Sequence, residues 1–228
     1  MLFRSTLLEK TVTYLYDANG NEIAQRTEYL RPHNRNLRRT TGGNAHGDTV
    51  TGDVQTVIEK VTNTYDGFNR LRTTERIRAG ERVVVSFLYD GDGLRTEKRE
   101  RSSKDDYAER VTRYTYDRQY VILETDGANK PSKRYVRGIN YIASVDKTER
   151  LAYFLFNGHG DVVHTVSESG AIENRYDYDV FGSPILSIEL YANEIRYAGE
   201  FFDVSTGLYY LRARYYNPHT GRFITEDT

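Results

Sequence analysis

The amino-acid sequence predicts an all-β protein built from antiparallel hairpins. The clearest signal is a Tyr-Asp pair, followed by a turn, that returns along the chain. A second signal is composition, because Val, Thr, Ile and Tyr fill the segments between these pairs, and 20 of the 228 residues are Tyr. Such residues favour strands. Third, no window carries apolar residues at the i, i+3, i+4, i+7 spacing of an amphipathic helix. We therefore expect no strand–helix unit of the kind that binds dinucleotides.

Each Tyr-Asp pair introduces the residues of a tight turn. An Asp, Asn or Ser comes first, and Gly or Asn follows three positions later. The first side chain can accept hydrogen bonds from the turn backbone, while Gly or Asn tolerates a positive φ. We therefore assign the aspartates of the Tyr-Asp pairs to turn capping. The pattern predicts hairpin turns at residues 17–20, 66–69, 90–93, 157–160, 167–170 and 179–182, with Tyr116-Asp117 as a degenerate copy.

The spacing of these turns predicts a repeating array. Asp66 and Asp90 lie 24 residues apart, and Asp117 follows 27 residues later, which is about the length of a two-strand unit. A period of this size indicates units that bury their faces against neighbours. Strands are expected over Val83–Tyr89 and Arg134–Val145. The low mean hydropathy suits a thin, curved or spiralling sheet strip.

The chain is expected to divide into two parts. Repeats would occupy residues 1–149, and a distinct C-terminal domain residues 150–228. Within the first part, residues 31–55 are rich in Arg, Asn, Thr and Gly and nearly empty of apolar residues. We expect this segment to be a mobile loop, because it can bury few side chains.

Composition excludes several classes of function. The net charge of −1, spread over both signs, gives no basic field for a nucleic-acid partner. Cysteine is absent, so disulfides and Cys-based zinc sites are excluded. The N-terminus lacks the apolar stretch of a signal peptide, and no run is long enough for a membrane-spanning helix. His159 and Asp161 would share one face of a strand and His164 the other. The sequence thus predicts neither a metal nor a cofactor.

The most specific pattern covers Gly199 to Phe223. It reads G-x-x-x-D-x-x-T-G-L-Y-Y-x-x-A-R-Y-Y-x-P-x-x-G-R-F. We expect its centre to form one strand that anchors the C-terminal domain, with an apolar face and a face mixing Tyr with Arg. The pattern resembles the RHS-repeat-associated core domain, which ends the shell of bacterial RHS/YD-repeat polymorphic toxins and is related to the C subunits of ABC toxins and to teneurins.

This resemblance implies a sheet strip that spirals into part of a hollow cocoon. The function implied is structural: the shell encloses or presents a C-terminal effector, and the partners are the rest of a larger shell or that effector segment. The expected location is outside a bacterium or on its surface, by an export route not encoded here, or the cytoplasm for an orphan remnant. A second hypothesis is a carbohydrate- or protein-binding module, which would need a Tyr ladder on an open face.

The resemblance also implies self-cleavage by an aspartic-protease-like pair. Asp203 and Asp227 occupy the matching positions, and Arg212 or Arg214 would orient or stabilise them. Two close carboxyls share a proton, so that one can activate water while the other donates. The plain alternatives are a turn cap for Asp203 and a solvated terminus for Asp227. Because the sequence stops ahead of the expected cleavage site, catalysis stays open and is not expected of this chain alone.

Overall fold

The computed structural model describes residues 9–32 and 54–226. Within them, fourteen antiparallel strands form one meandering sheet, each strand pairing with the one before it, and no α-helix occurs. The prediction of an all-β hairpin strip is therefore confirmed. We call this sheet the strip. Its strands are β1 Glu9–Tyr16, β2 Glu22–Pro32, β3 Val54–Tyr65, β4 Leu71–Arg78, β5 Glu81–Tyr89, β6 Arg95–Ser102, β7 Arg110–Asp117, β8 Tyr120–Asp126, β9 Pro131–Arg137, β10 Tyr141–Asp146, β11 Leu151–Phe156, β12 Val162–Ser167, β13 Ile172–Tyr178 and β14 Pro184–Glu189.

The six predicted turns are confirmed. In each, the backbone N–H of the fourth residue donates to the carbonyl of the first, and the fourth residue has a positive φ. The Asp66 turn shows the capping, since its Oδ1 accepts from the N–H groups of Phe68 and Arg70 at 2.9 and 3.0 Å. The degenerate copy differs: Asp117 pairs directly with Tyr120 around a two-residue turn.

Some turns were not predicted. Asp126 and Asp146 each begin a capped four-residue turn that ends on a non-glycine residue of positive φ, Asn129 and Glu149 respectively. The strand expected over 134–145 is wrong as a single element. The chain reverses after β9, where the N–H of Gly138 donates to the carbonyl of Asn140 at 2.9 Å. Because apolar and aromatic residues continue on both sides of this turn, the sequence pattern predicts a single uninterrupted strand.

A second sheet of four antiparallel strands follows the strip, and we call it the inner sheet. The strand expected over its centre is in fact two strands, because the chain turns back at Arg212, whose φ is 59°. Tyr209 therefore lies opposite Tyr216, and Tyr210 opposite Tyr215. The turn lacks Gly and Asn, so its sequence reads as a continuing strand. The strands are β15 Phe201–Asp203, β16 Leu208–Leu211, β17 Arg214–Asn217 and β18 Arg222–Phe223.

The strip curves around the inner sheet. At one end, the N–H of Glu22 on β2 donates to the carbonyl of Ile224 at 2.8 Å. At the other, the Tyr209 hydroxyl donates to the carbonyl of Gly182, between β13 and β14, at 3.2 Å. In a flat sheet, β2 and β13 would lie roughly 50 Å apart, whereas the four strands of the inner sheet span only roughly 15 Å. One small sheet can contact both ends only if the strip bends towards it.

The face turned to the inner sheet carries the core. On β5 the residues Val83, Val85 and Phe87 are buried while their neighbours are less so, as the period of two requires. Strip and inner sheet share one buried cluster, which also includes Tyr114, Tyr135, Phe154, Tyr176, Phe201, Leu208, Tyr210, Tyr215 and Ile224. Neither layer has a core of its own, so each stabilises the other.

The predicted domain division remains a prediction. The strip passes through residues 149 and 150 without interruption, since β10 pairs with β11. Of the segment expected to be mobile, residues 33–53 lie outside the described residues, and its ends at 31–32 and 54–55 belong to β2 and β3. The described part of the chain has no helix with the length and apolar character needed to cross a membrane.

Candidate functional site

The tyrosines of the Tyr-Asp pairs form a ladder on the inner face of the strip. Their rings pack against the shared core, and each hydroxyl donates to a backbone carbonyl near the start of the adjacent strand. An apolar ring is thereby buried while its polar tip is satisfied. Tyr16, on β1, is the exception and is 51% exposed. The bonds run from Tyr65 to Glu22 at 2.8 Å, from Tyr89 to Leu71 at 2.6 Å, from Tyr116 to Arg95 at 2.8 Å and from Tyr178 to Val162 at 2.9 Å.

A buried ion cluster joins the strip to the inner sheet, and we call it the Asp203 cluster. Arg95, at the start of β6, is fully buried and donates from Nη1 to the carboxylate of Asp203 on β15. Lys98 Nζ donates to the other carboxylate oxygen of Asp203 at 3.1 Å. The Arg95 guanidinium also lies 4.4 Å from the ring centre of Tyr210 and 4.6 Å from that of Tyr114. Charge and ring contacts thus hold β15 against β6.

The charges of this cluster depend on one another. Burial alone would raise the pKa of the Asp203 carboxyl, but the positive charges of Arg95 and Lys98 hold it below its ordinary value. Likewise, the Asp203 charge outweighs burial and raises the pKa of Lys98. Asp203 is therefore ionised at neutral pH. Removing it would leave two cations in a dry environment, which is far costlier than losing an exposed pair.

The other predicted site residues lie elsewhere. The guanidinium of Arg212 donates to Glu200, and that of Arg214 lies 3.7 Å from the ring centre of Phe223. Asp227 lies outside the described residues. The structure therefore brings neither predicted arginine to Asp203 and leaves the pairing of Asp203 with Asp227 untested.

Sequence reasoning missed the two residues that do contact Asp203. Arg95 and Lys98 belong to Arg-Thr-Glu-Lys-Arg-Glu-Arg-Ser, a strand whose alternating charges resemble those of a solvated edge. The Asp203 turn is closed by its own backbone carbonyl, which accepts from the N–H groups of Thr206 and Gly207. The carboxylate is thus free to face the strip, and the alternative of a side-chain turn cap is not what this geometry shows.

A second charged cluster fastens the segment that leads into the inner sheet. Lys133 Nζ, on β9, donates to the Glu194 carboxylate and to the carbonyl of Ala192. Beside it, the Tyr135 hydroxyl donates to Glu124 at 2.7 Å. Burial and the Glu194 charge raise the pKa of Glu124. Two sets of paired charges, the Asp203 cluster and the Lys133–Glu194 pair, therefore attach the start of the inner sheet to the strip.

His159 and Asp161 lie at the turn between β11 and β12 of the strip. His159 Nδ1 lies 2.8 Å from one Asp161 carboxylate oxygen, which also accepts from the N–H of Ala198 at 2.8 Å. His164 sits on β12 opposite Leu155. Among the described residues, no three His, Cys, Asp or Glu side chains are grouped so that they could hold a metal ion.

Glu22 is a buried carboxyl at the start of β2. It lies beside a cavity of about 390 Å³ that is also lined by Tyr14, Tyr16 and Arg222. Burial raises the pKa of Glu22 to about 7. A raised carboxyl pKa in the folded state means that ionisation opposes folding. Stability is lost as pH rises from the ordinary value of 4.5 through about 7.

We therefore expect Glu22→Gln to stabilise the protein at pH 8. The gain in unfolding free energy should be about 1–3 kcal/mol and should vanish below about pH 4.5. Urea unfolding at several pH values measures it. The matched control is Glu28→Gln on the same strand, because the exposed Glu28–Arg26 pair should contribute less than about 1 kcal/mol. Equal effects of the two substitutions at pH 8 would contradict the assignment.

Comparisons with known proteins fit these observations. No family model matches the chain. It is 34% identical over 174 residues, 74% of its length, to the tRNA3(Ser)-specific nuclease WapA of Bacillus spizizenii. An alignment of 234 positions, which covers 96% of this chain, shows 29% identity to the tRNA nuclease WapA of Bacillus subtilis. The chain spans only 7% and 9% of these two relatives.

Solved structures share the fold. The crystal structure of TcdB2-TccC3 superposes with a TM-score of 0.52 at 17% identity, covering 95% of this chain and 14% of that chain. The Tc holotoxin pore of Photorhabdus luminescens gives 0.51 at 16% identity, with the same coverage. The fold of this chain therefore recurs within much longer chains.

Proposed function

This chain belongs to the RHS/YD-repeat proteins, and we propose that it forms one section of an RHS-type toxin shell. In this role the strip encloses the inner sheet and helps to enclose or present a C-terminal effector. The mechanism is steric, because a segment inside a shell cannot reach targets or proteases. Its partners are the rest of the shell and the effector. The shell acts outside the bacterium or on its surface.

The observation that carries this proposal is the enclosure of the inner sheet. Strands from both ends of the strip contact it, and the two layers share one core. The Asp203 cluster adds an ion pair between two fully buried side chains, Arg95 and Asp203, and a second contact from the partly buried Lys98. An arrangement in which a sheet wraps its own C-terminal segment is what a shell section requires.

The direction of the Tyr ladder supports a shell over a binding module. Four of its tyrosines face the core, and their hydroxyls are taken by backbone carbonyls. Rings held this way cannot stack on a sugar. We therefore place carbohydrate binding second, as a role that would need a different surface.

The nuclease activity named for the relatives is proposed to lie in another part of those proteins. Only 7–9% of their length matches this chain. Self-cleavage is a separate proposal. The cations beside Asp203 keep its carboxylate ionised, as the base of a dyad must be, and Asp227 would supply the protonated partner. In the natural gene product, Asp203→Asn should abolish cleavage, while Asp179→Asn, which alters only a turn cap of the strip, should not.

Electron cryomicroscopy of the natural gene product tests the shell directly. We expect a hollow shell in which this strip is one section, with the inner sheet lying inside and a further strand paired to the edge of β1 that has no partner among the described strands. A compact particle without a cavity, or a β1 edge left facing solvent, would refute the proposal.

A further inference from the structure

A cleft of about 310 Å³ opens at one rim of the strip, away from the Asp203 cluster. Three strip turns and the segment entering the inner sheet form its walls. Its size is that of a small-molecule site, although it is more polar than most. The side chains that matter are Tyr120, Arg137, Asn140, Phe156, Glu200 and Arg212.

The cleft holds an uncompensated positive charge. Arg212 is paired with Glu200, and His159 with Asp161. Arg137, at the end of β9, has no ion-pair partner within the described part of the chain. Two guanidinium groups thus face one carboxylate across the space.

Arg137 is held in position by aromatic rings. Its guanidinium carbon lies 3.3 Å from the ring centre of Tyr120 and 5.1 Å from that of Tyr141. One nitrogen, Nη2, donates to the carbonyl of Ile139 at 3.0 Å. The buried Nε–H has no partner. A planar, oriented guanidinium with unused donors is the usual receptor of a carboxylate.

We propose that this cleft binds a small ligand through its carboxylate group. The carboxylate pairs with Arg137, the body of the ligand packs against Tyr120 and Phe156, and the Asn140 amide is placed to bond a hydroxyl or amide. The site rests on this geometry alone and does not depend on the shell proposal.

Two acids serve as probes, each with a neutral counterpart of nearly the same shape. Glucuronate, with glucose as control, represents a free acidic sugar. N-acetylglutamate methylamide, with the glutamine analogue as control, represents an acidic peptide side chain. The readout is the Nε–H resonance of Arg137 in ¹⁵N-arginine-labelled protein, and in the Arg137 variants it is the Nε–H resonance of Arg212, which lines the same cleft. We expect a saturable shift with at least one acid at millimolar concentration, and at least about tenfold weaker binding of its control.

The acid that binds identifies the source of the ligand, and a shift with neither acid overturns the proposal. Arg137→Gln should weaken binding at least about tenfold. The matched control is Arg134→Gln, on the same strand but paired with Glu149 outside the cleft, which should bind as the wild type does. Arg137→Lys keeps the charge but loses the planar fork, and should bind more weakly than wild type. Wild-type affinity in both Arg137 variants would also overturn the proposal.

Discussion

Asp203→Asn is expected to lower the free energy of unfolding by about 3–5 kcal/mol. The carboxylate is buried and accepts from Arg95 and Lys98, so the amide leaves two cations without a counter-charge. Urea unfolding followed by circular dichroism at pH 7 measures the loss. A cost of this size is a large share of the roughly 5–15 kcal/mol that stabilises a typical domain.

The control for this substitution is Asp179→Asn. Asp179 caps an exposed turn through the N–H groups of Phe181 and Ser183, and Asn caps such turns nearly as well. Its cost should be about 1 kcal/mol or less. Equal costs at the two positions would contradict the account of Asp203 as a buried counter-ion.

The same cluster has a pH signature. Because the folded pKa of Asp203 is lowered, its stabilisation is present above the unfolded value of 3.8 and is lost as pH falls through the folded value. Between about pH 5 and pH 2, the free energy of unfolding should therefore fall less steeply for Asp203→Asn than for wild type.

Tyr215→Ala is expected to cost about 3–5 kcal/mol, as truncation of a buried aromatic does. Its ring is 2% exposed and lies 5.2 Å from the ring centres of both Phe87 and Tyr210. The change removes the contact between β17 and the centre of the strip, on β5. The midpoint of urea unfolding, with an unchanged slope, reports it.

Two further variants separate packing from hydrogen bonding. Tyr153→Ala removes a 37% exposed ring on the opposite face of the strip and should cost much less than Tyr215→Ala. Tyr215→Phe keeps the ring and loses only the long contacts of the hydroxyl with Tyr89 and Arg95, at 3.3 and 3.4 Å, so it should cost about 1 kcal/mol. A Phe variant as unstable as the Ala variant would show that packing is not the main contribution.

The parts of the fold that could be predicted are those set by local chemistry. An Asp followed three residues later by Gly or Asn determines a turn within four residues, so the turns after Tyr16, Tyr65 and Tyr89 were found directly. The turn at Arg212 was missed because Arg, rather than Gly or Asn, adopts the positive φ there. The turn that begins at Asp126 was not predicted, although Asn129 completes the same pattern, and at the Asp146 turn Glu149 stands where the pattern requires Gly or Asn.

The candidate site was only partly predictable. Asp203 stood out through the C-terminal motif, but its partners Arg95 and Lys98 lie 108 and 105 residues away. Only the curvature of the strip brings β6 and β15 together, and no pattern within either strand records that curvature. The same curvature buries Arg95. This burial could not be predicted from the sequence of β6, because that strand is polar.

Hydrogen exchange of the backbone amides in the inner sheet tests the central claim most directly. If the strip encloses this sheet, amides of β16 and β17 in the intact protein should be as strongly protected as those of β5, and Asp203→Asn should reduce protection in both together. Exchange in β16 and β17 as fast as in the exposed turn at 90–93, while β5 stays protected, would show that the strip does not enclose the C-terminal sheet.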